Sequence, residues 1–211
     1  MVTEVFGLPG AGKSSLCAYL AISEQNKIFT GKSQYKRIVS NVEVKYPGVI
    51  FMSFSDMLKY DLGWETLCLI DEGLLEFDNR DHKNFTYEKL EFFIEHRRHK
   101  LDIWIFIQQA GGFDKKIRSI TDQVYYIHKG SYFRSISYLN KIPYGILIPS
   151  KKDTGSEKYG EIIQGYHRGS FFDRIFCKRF YRPLVYGYYD SFFLSVCINA
   201  YGRGSRCFAI W

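Results

Sequence analysis

Eight residues near the start of the chain, Gly7-Leu8-Pro9-Gly10-Ala11-Gly12-Lys13-Ser14, carry the spacing G-x-x-x-x-G-K-[ST]. Glycines in that pattern let backbone N–H groups turn inward around phosphate oxygens. A helix opening inside the loop adds its partial positive charge. In this chemistry Lys13 reaches the β- and γ-phosphates of a nucleoside triphosphate and Ser14 binds Mg²⁺. Gly7, Pro9, Gly10, Ala11, Gly12 and Ser15 make up the rest of the cradle. A second group is Leu67-Cys68-Leu69-Ile70-Asp71-Glu72, an apolar run that ends in two acids. Asp71 is expected in the Mg²⁺ shell, and Glu72 is expected to polarise the attacking water as general base. The second carboxylate favours hydrolysis over transfer to another acceptor, because a kinase must exclude that water.

A third candidate is Gln108, which ends the apolar run Leu101–Ile107. Ligands of parallel sheets bind beyond the carboxyl ends of the strands, so a Gln there can sense a γ-phosphate or orient water. Gln109 is its rival. His96-Arg97-Arg98-His99 stands at the end of a helical pattern. It reads either as cations suited to the helix dipole or as an arginine finger for a neighbouring subunit's nucleotide. Arg80, eight residues past Glu72, is a second candidate finger. His82, His96 and His99 lack a carboxylate or cysteine to complete a metal set.

The elements that must position these groups follow from hydrophobic spacing. Val2–Phe6 reads as a buried strand and Lys13–Ile22 as a helix. Arg37–Val44 and Val49–Phe54 read as strands, and Ser55 as the cap of a short helix. Thr66–Ile70 is a strand, 73–85 a loop, and Tyr87 to about His99 an amphipathic helix. Leu101–Ile107 is a strand buried on both faces. Asp114–Ile120 is a short helix, and Gln123–His128 a strand. This alternation predicts an α/β fold in three layers with a mostly parallel sheet. After Gly130 the pattern changes to strands of a hairpin, Tyr132–Leu139 and Tyr144–Ile148, with Ile162–Tyr166 pairing back. The expected division is an ATPase core over 1–130 and a basic, aromatic-rich extension over 131–211, either part of the same domain or a small appendage.

The 211 residues are 46% hydrophobic and 24% charged, which excludes wholesale disorder and coiled coil. Residues 1–100 hold 13 basic and 14 acidic side chains, and residues 101–211 hold 16 and 8. All the excess positive charge therefore sits in the second half, which points to DNA or an acidic membrane surface as partner. Arg168, Arg174, Lys178, Arg179, Arg182, Arg203 and Arg206 are interleaved there with aromatics, a pattern suited to DNA backbone or anionic headgroups. Aromatic residues make up 18% of the chain. They crowd into 125–193, as a β-rich core does, or a surface that stacks on bases or on another subunit. Five cysteines form no CxxC pair, which fits a reducing compartment rather than a disulfide or zinc framework. No N-terminal leader is read, and Leu184–Tyr201 is interrupted by Gly187, Asp190 and Asn199, so no membrane span is expected.

The pieces GLPGAGKSS, LCLIDEGLLEFDNR, EHRRHKLDIWIFIQQ and FDKKIRSITDQVYYI, over Gly7 to about Ile127, resemble in order and spacing the Zot-like family (zonula occludens toxin domain), assembly ATPases of filamentous phages. The shared pattern takes in Arg80 after the acid pair, Arg98 and His99 before the strand ending in Gln108, and then Asp114, Ile117 and Arg118. The resemblance implies a P-loop ATPase of the additional-strand, catalytic-Glu type, related to the FtsK/HerA motors. It implies ATP and Mg²⁺ as cofactors and a homo-oligomeric ring, hexamer or pentamer. It also implies work on phage DNA in the host cytoplasm, at the inner membrane or at a virion vertex, beside capsid or assembly proteins. Lys13, Ser14, Asp71, Glu72 and Gln108 carry over as nucleotide-site residues, with Arg80 and Arg98 as finger candidates. Members usually continue into a membrane span and a periplasmic part, whereas this chain stops at Trp211. A short motor of that kind is expected to pack DNA into a preformed capsid as readily as extrude it. Two rival readings remain. One is a small nucleoside or nucleotide kinase, which needs an arginine-rich lid. The other is a viral structural or membrane-docking protein that binds nucleotide without translocating DNA.

Overall fold

In the computed structural model, Val2–Phe6 forms strand β1, buried at every position. The structure describes residues 1–73, 87–108, 120–130, 134–142 and 178–189. Helix α1 spans Lys13–Phe29 and runs past the expected end at Ile22, because Gln25 is also buried beneath it. It stops at Thr30, followed by Gly31 with φ +67°. Strands β2 (Arg37–Ser40) and β3 (Val49–Phe51) are shorter than the sequence pattern suggests. Helix α2 is Phe54–Lys59. Its cap is Ser53 rather than Ser55: the Ser53 hydroxyl accepts from the Asp56 amide at 3.2 Å. The helix starts two residues early because Phe54, 2% exposed, is drawn into the core at its first position. Strand β4 (Thr66–Ile70), helix α3 (Tyr87–Glu95), strand β5 (Asp102–Ile107) and strand β6 (Gln123–Lys129) follow. Strands β7 (Ile136–Lys141) and β8 (Lys178–Tyr181) precede a 3-10 turn at Arg182–Val185.

The eight strands form one sheet in the order β3-β2-β4-β5-β1-β6-β7-β8. The first six are mutually parallel, and β7 and β8 add antiparallel to β6. β5 lies between β1 and β4, which is the additional strand that separates the glycine loop from the acid pair. Alternate residues of the central strands feed opposite cores. Cys68 and Ile70 of β4 join Phe54, Met57 and Phe93 on the α2/α3 face. Leu67 and Leu69 join Leu16, Cys17, Ala18 and Ala21 of α1 on the other. Because both faces are covered, these strands read as continuous apolar runs. The expected three-layer α/β fold is thus the observed one.

Cys17 and Cys68 are buried free thiols in these two separate cores. Burial pushes the Cys68 thiol up to about 12, so it is inert as a thiolate. Among the described residues no helix is long and apolar enough to cross a membrane. The expected loop 73–85 beyond Gly73, the helix expected at Asp114–Ile120 before its last residue, and the strands at Tyr144–Ile148 and Ile162–Tyr166 lie outside the described residues.

Candidate nucleotide site

The register of the parallel strands brings the motifs to one edge. Phe6 pairs with Ile107 and Ile70 with Ile105, so Gly7, Asp71 and Gln108 all follow strand ends on the same side of the sheet. On that side opens a cleft of about 760 Å³ whose lining includes Pro9, Gly10, Gly12, Lys13, Ser14, Ser15, Asp71, Glu72 and Gln108. Residues from three separate strands therefore converge where parallel sheets bind ligands.

The loop leaves β1 with the Gly7 amide donating to Ile107 O at 3.2 Å. A Cβ at Gly7 would lie 2.5 Å from Ile127, so only glycine allows this approach of loop to sheet. Gly12 caps α1 in the left-handed region at φ +102°, and no side chain caps that helix end. The first intrahelical bond is Leu16 N to Gly12 O at 2.9 Å. The amides before it have no intrahelical acceptor and are free for an anion. A Cβ at Gly12 would also stand 2.7 Å from both Arg182 Cδ and Ser137 Oγ. Gly12→Ala is therefore expected to cost at least roughly 1–2 kcal/mol from backbone handedness alone. A thermal melt together with a nucleotide titration checks this: the melting point falls and the titration weakens.

Lys13 is 7% exposed. Its Nζ donates to Gly7 O at 2.7 Å and to Leu8 O at 3.2 Å, so the ammonium lies inside the curve of the loop. Burial lowers its pKa, and the carboxylates of Asp71 and Glu72 oppose that. Asp71 is 2% exposed. Its Oδ1 accepts from the Glu72 amide at 3.0 Å, and its Oδ2 has no hydrogen-bond partner among the described residues. Burial raises the Asp71 pKa, opposed by the facing Ser14 hydroxyl, the Glu72 amide and Lys13. A buried carboxylate oxygen without a donor, beside a serine hydroxyl, is the donor set a hard divalent cation takes. Ser14 and Asp71 therefore fit Mg²⁺. Among the described residues no cluster of three or more His, Cys, Asp or Glu is gathered for another kind of metal.

Glu72 is half-buried, and its backbone is left-handed at φ +53°. Burial raises its pKa first, the neighbouring Asp71 charge raises it further, and Lys13 lowers it. A carboxylate shifted upward is a stronger base toward water. Asn41, just past β2, fixes the acid pair. Its Nδ2 donates to Asp71 O at 2.9 Å and its Oδ1 accepts from Asp71 N at 2.7 Å. The sequence carries no motif for this clamp.

Other expected residues stand apart. Arg98 forms an exposed ion pair with Glu95 at 3.0 Å. It lies just before β5 starts, at the sheet edge opposite the cleft. His99 stacks edge-on against Trp64, and His96 is buried, with Nδ1 2.5 Å from Phe93 O. Arg80, His82, Gln109, Asp114, Ile117 and Arg118 lie outside the described residues. The cleft has a second wall that no motif announces, made by Lys45, Arg182, Tyr186, Gly187 and Tyr189. Of the basic residues singled out after 167, Lys178 and Arg179 lie exposed on β8. Arg168, Arg174, Arg203 and Arg206 fall outside the described residues.

A family model described as Zonular occludens toxin (Zot) matches residues 1–133. No curated protein matches the chain. Among solved structures, the fold is similar to the N-terminal domain of zonular occludens toxin from Neisseria meningitidis. That domain is 16% identical with a TM-score of 0.59, covering 90% of this chain and 98% of that one. The genome packaging NTPase from Sulfolobus turreted icosahedral virus 2, in complex with ATP-gammaS, is 13% identical with a TM-score of 0.47, covering 67% and 92%. The flagellar accessory protein FlaH from Methanocaldococcus jannaschii is 11% identical with a TM-score of 0.46, covering 67% and 77%.

Proposed function

The chain belongs to the zonular occludens toxin (Zot) family, and from that footing we propose that it is an ATP-hydrolysing motor that moves phage DNA during virion assembly, packaging or extrusion. One observation carries the ATPase half of this reading: Lys13, Ser14, Asp71, Glu72 and Gln108, drawn from three strand ends, line a single cleft.

The division of labour follows from position. The open amides at the start of α1 and the Lys13 ammonium hold the phosphate chain. Ser14 and Asp71 hold Mg²⁺, which when bound neutralises charge on the phosphates. Glu72 takes a proton from water as the water oxygen bonds the γ-phosphorus and the bond to the β,γ-bridging oxygen breaks, leaving ADP and phosphate, and its raised pKa makes it a better acceptor of that proton. Gln108, at the end of β5, orients the same water or senses the γ-phosphate. Arg98 lies at the far edge of its own sheet. Its contribution as a finger would therefore go to the nucleotide of a neighbouring subunit in a ring, and Arg80 is the rival for that role. Residues 1–130 form the motor core in this reading, and 131–211 the basic, aromatic appendage. Lys178 and Arg179 expose two of its cations on β8, which supports a polyanionic partner without choosing DNA over lipid.

The test is steady-state ATP hydrolysis with and without single- and double-stranded DNA. A DNA translocase shows stimulation by one of the two, lost in the Lys13→Ala and Glu72→Gln variants. Hydrolysis indifferent to both would overturn the DNA half and leave the ATPase half standing. Phosphate transfer to an added nucleoside would replace the reading with that of a kinase.

A further inference from the structure

Arg182 enters the cleft from a part of the chain that no nucleotide motif covers. Its Cδ packs so closely on the glycine loop that a Cβ at Gly12 would fall 2.7 Å away. Its Nη1 is 3.5 Å from Gly10 O, and its Nε is buried without a hydrogen-bond partner among the described residues. Among those residues it forms no ion pair with a carboxylate. An arginine placed this way has guanidinium donors to give and a phosphate-binding loop beside it.

We propose that Arg182 is a phosphate ligand supplied by the same subunit, binding the nucleotide at its α- and β-phosphates. The proposal rests on the nucleotide reading above and adds to it a residue and a position along the phosphate chain.

Three observations carry it. First, the residue is held in place. Arg182 N donates to Ser135 O at 3.0 Å, and Arg182 opens the 3-10 turn with Pro183 next in it. At the other end of the wall Tyr189 Oη is 2.5 Å from Ser15 Oγ, Lys45 N donates to Tyr188 O at 2.6 Å, and Val44 bridges Tyr189. With the backbone of the wall tied at both ends, only the Arg182 side chain has freedom left to lose on binding.

Second, Arg182 has its contacts at one end of the cleft. Arg182 sits against the glycine loop, with Cδ on Gly12 and Nη1 at Gly10 O, and Tyr189 of the same wall meets Ser15 Oγ. Among the described residues Arg182 pairs with neither Asp71 nor Glu72, which mark the γ-phosphate and water end, so it faces the stretch where the phosphate chain passes Gly12 and Ser15.

Third, the guanidinium suits the ligand. Its planar fork matches phosphate oxygens two at a time. Lys129 Nζ lies 3.1 Å from where a Gly10 Cβ would sit, which adds positive potential to the same end of the loop.

The experiment titrates wild type, Arg182→Ala, Arg182→Lys and Lys13→Ala with fluorescent ATP and ADP analogues over a range of protein concentrations. A thermal melt of each variant accompanies the titrations. Arg182→Ala is expected to weaken ATP and ADP by the same factor, about tenfold or more for a lost charge-assisted bond. Arg182→Lys recovers part of the loss, and the factor does not change with protein dilution. A folded Arg182→Ala that binds both like wild type overturns the proposal. A loss confined to ATP overturns the α/β placement, and a factor that fades on dilution overturns action within one subunit. If Arg182→Ala melts early, the charge-keeping Arg182→Lys and the uncharged Arg182→Gln decide by the same comparison. Failure of wild type itself to bind either analogue would sink the nucleotide reading, a result distinct from any outcome of the Arg182 variants.

Discussion

Glu72→Gln slows ATP turnover by about 10²- to 10⁴-fold while ATP still binds. The substitution keeps shape and hydrogen-bonding atoms but removes the group that accepts the proton from water. Lys13, Ser14 and Asp71, the residues proposed to hold the phosphates and the cation, stay in place. Trapping of radiolabelled ATP under conditions where wild type releases phosphate checks both halves. The wild-type pH profile carries the same signature. Burial and the Asp71 charge raise the Glu72 pKa above its ordinary value, which is about 4.3 for an unperturbed glutamate. A base works deprotonated, so turnover falls as the pH drops through that raised value. The acid limb of the profile therefore lies at higher pH than an exposed glutamate would give, and in Glu72→Gln the limb due to this residue is gone. Turnover of Glu72→Gln within a few-fold of wild type would remove Glu72 from the role of base.

Lys13→Ala produces the second large effect, on binding rather than on the chemical step. A charge-assisted hydrogen bond contributes about 1.5–3 kcal/mol, so nucleotide affinity drops by at least about tenfold. The loss has two sources. The phosphates lose their central cation, and the loop loses the two bonds from Nζ to Gly7 O and Leu8 O that gather its carbonyls. Removing the ammonium also leaves Asp71 and Glu72 without the cation that holds their pKa values down. Their upward shift grows. Fluorescent-nucleotide titration reads the affinity. Lys13→Met, which keeps most of the aliphatic stem, separates the loss of charge from the loss of packing. Unchanged affinity in both variants would remove Lys13 from the phosphate site.

The parts of this site that were legible in the sequence are those where chemistry dictates residue type. In a phosphate loop Gly7, Gly10 and Gly12 must be small and Lys13 cationic, and Asp71-Glu72 must end a buried strand. Both appear at the expected places, as does Gln108 after β5. The parts that escaped share one property: their partners are remote in sequence and bind through ordinary residues. Asn41 clamps Asp71 from 30 positions away. Arg182 and Tyr189 close the cleft from a stretch that shows no period. Element ends slipped for a related reason. Ser55 and Ser53 are equal as caps by composition, and only the burial of Phe54 chooses between them. Arg98 shows the limit from the other side. Its place in the family pattern suggested the nucleotide, and the strand direction put it at the opposite edge of its own subunit's sheet.

The sheet order has a bearing on how the molecule is made. β1 leaves the ribosome before the other strands of this sheet, yet it ends up in the interior, between β5 and β6. Neither neighbour exists until residues 102–107 and 123–129 have been synthesised. Until then the glycine loop hangs from a strand with two open edges, a state prone to mispairing. A nascent chain or fragment that ends soon after Glu72 holds both nucleotide motifs entire and has no β5 to set them side by side. The pairing that builds the site spans about a hundred residues, and long-range pairing of this kind is slow. The cleft therefore forms late in the life of the growing polypeptide, and a motif-bearing piece is not a small version of the folded chain.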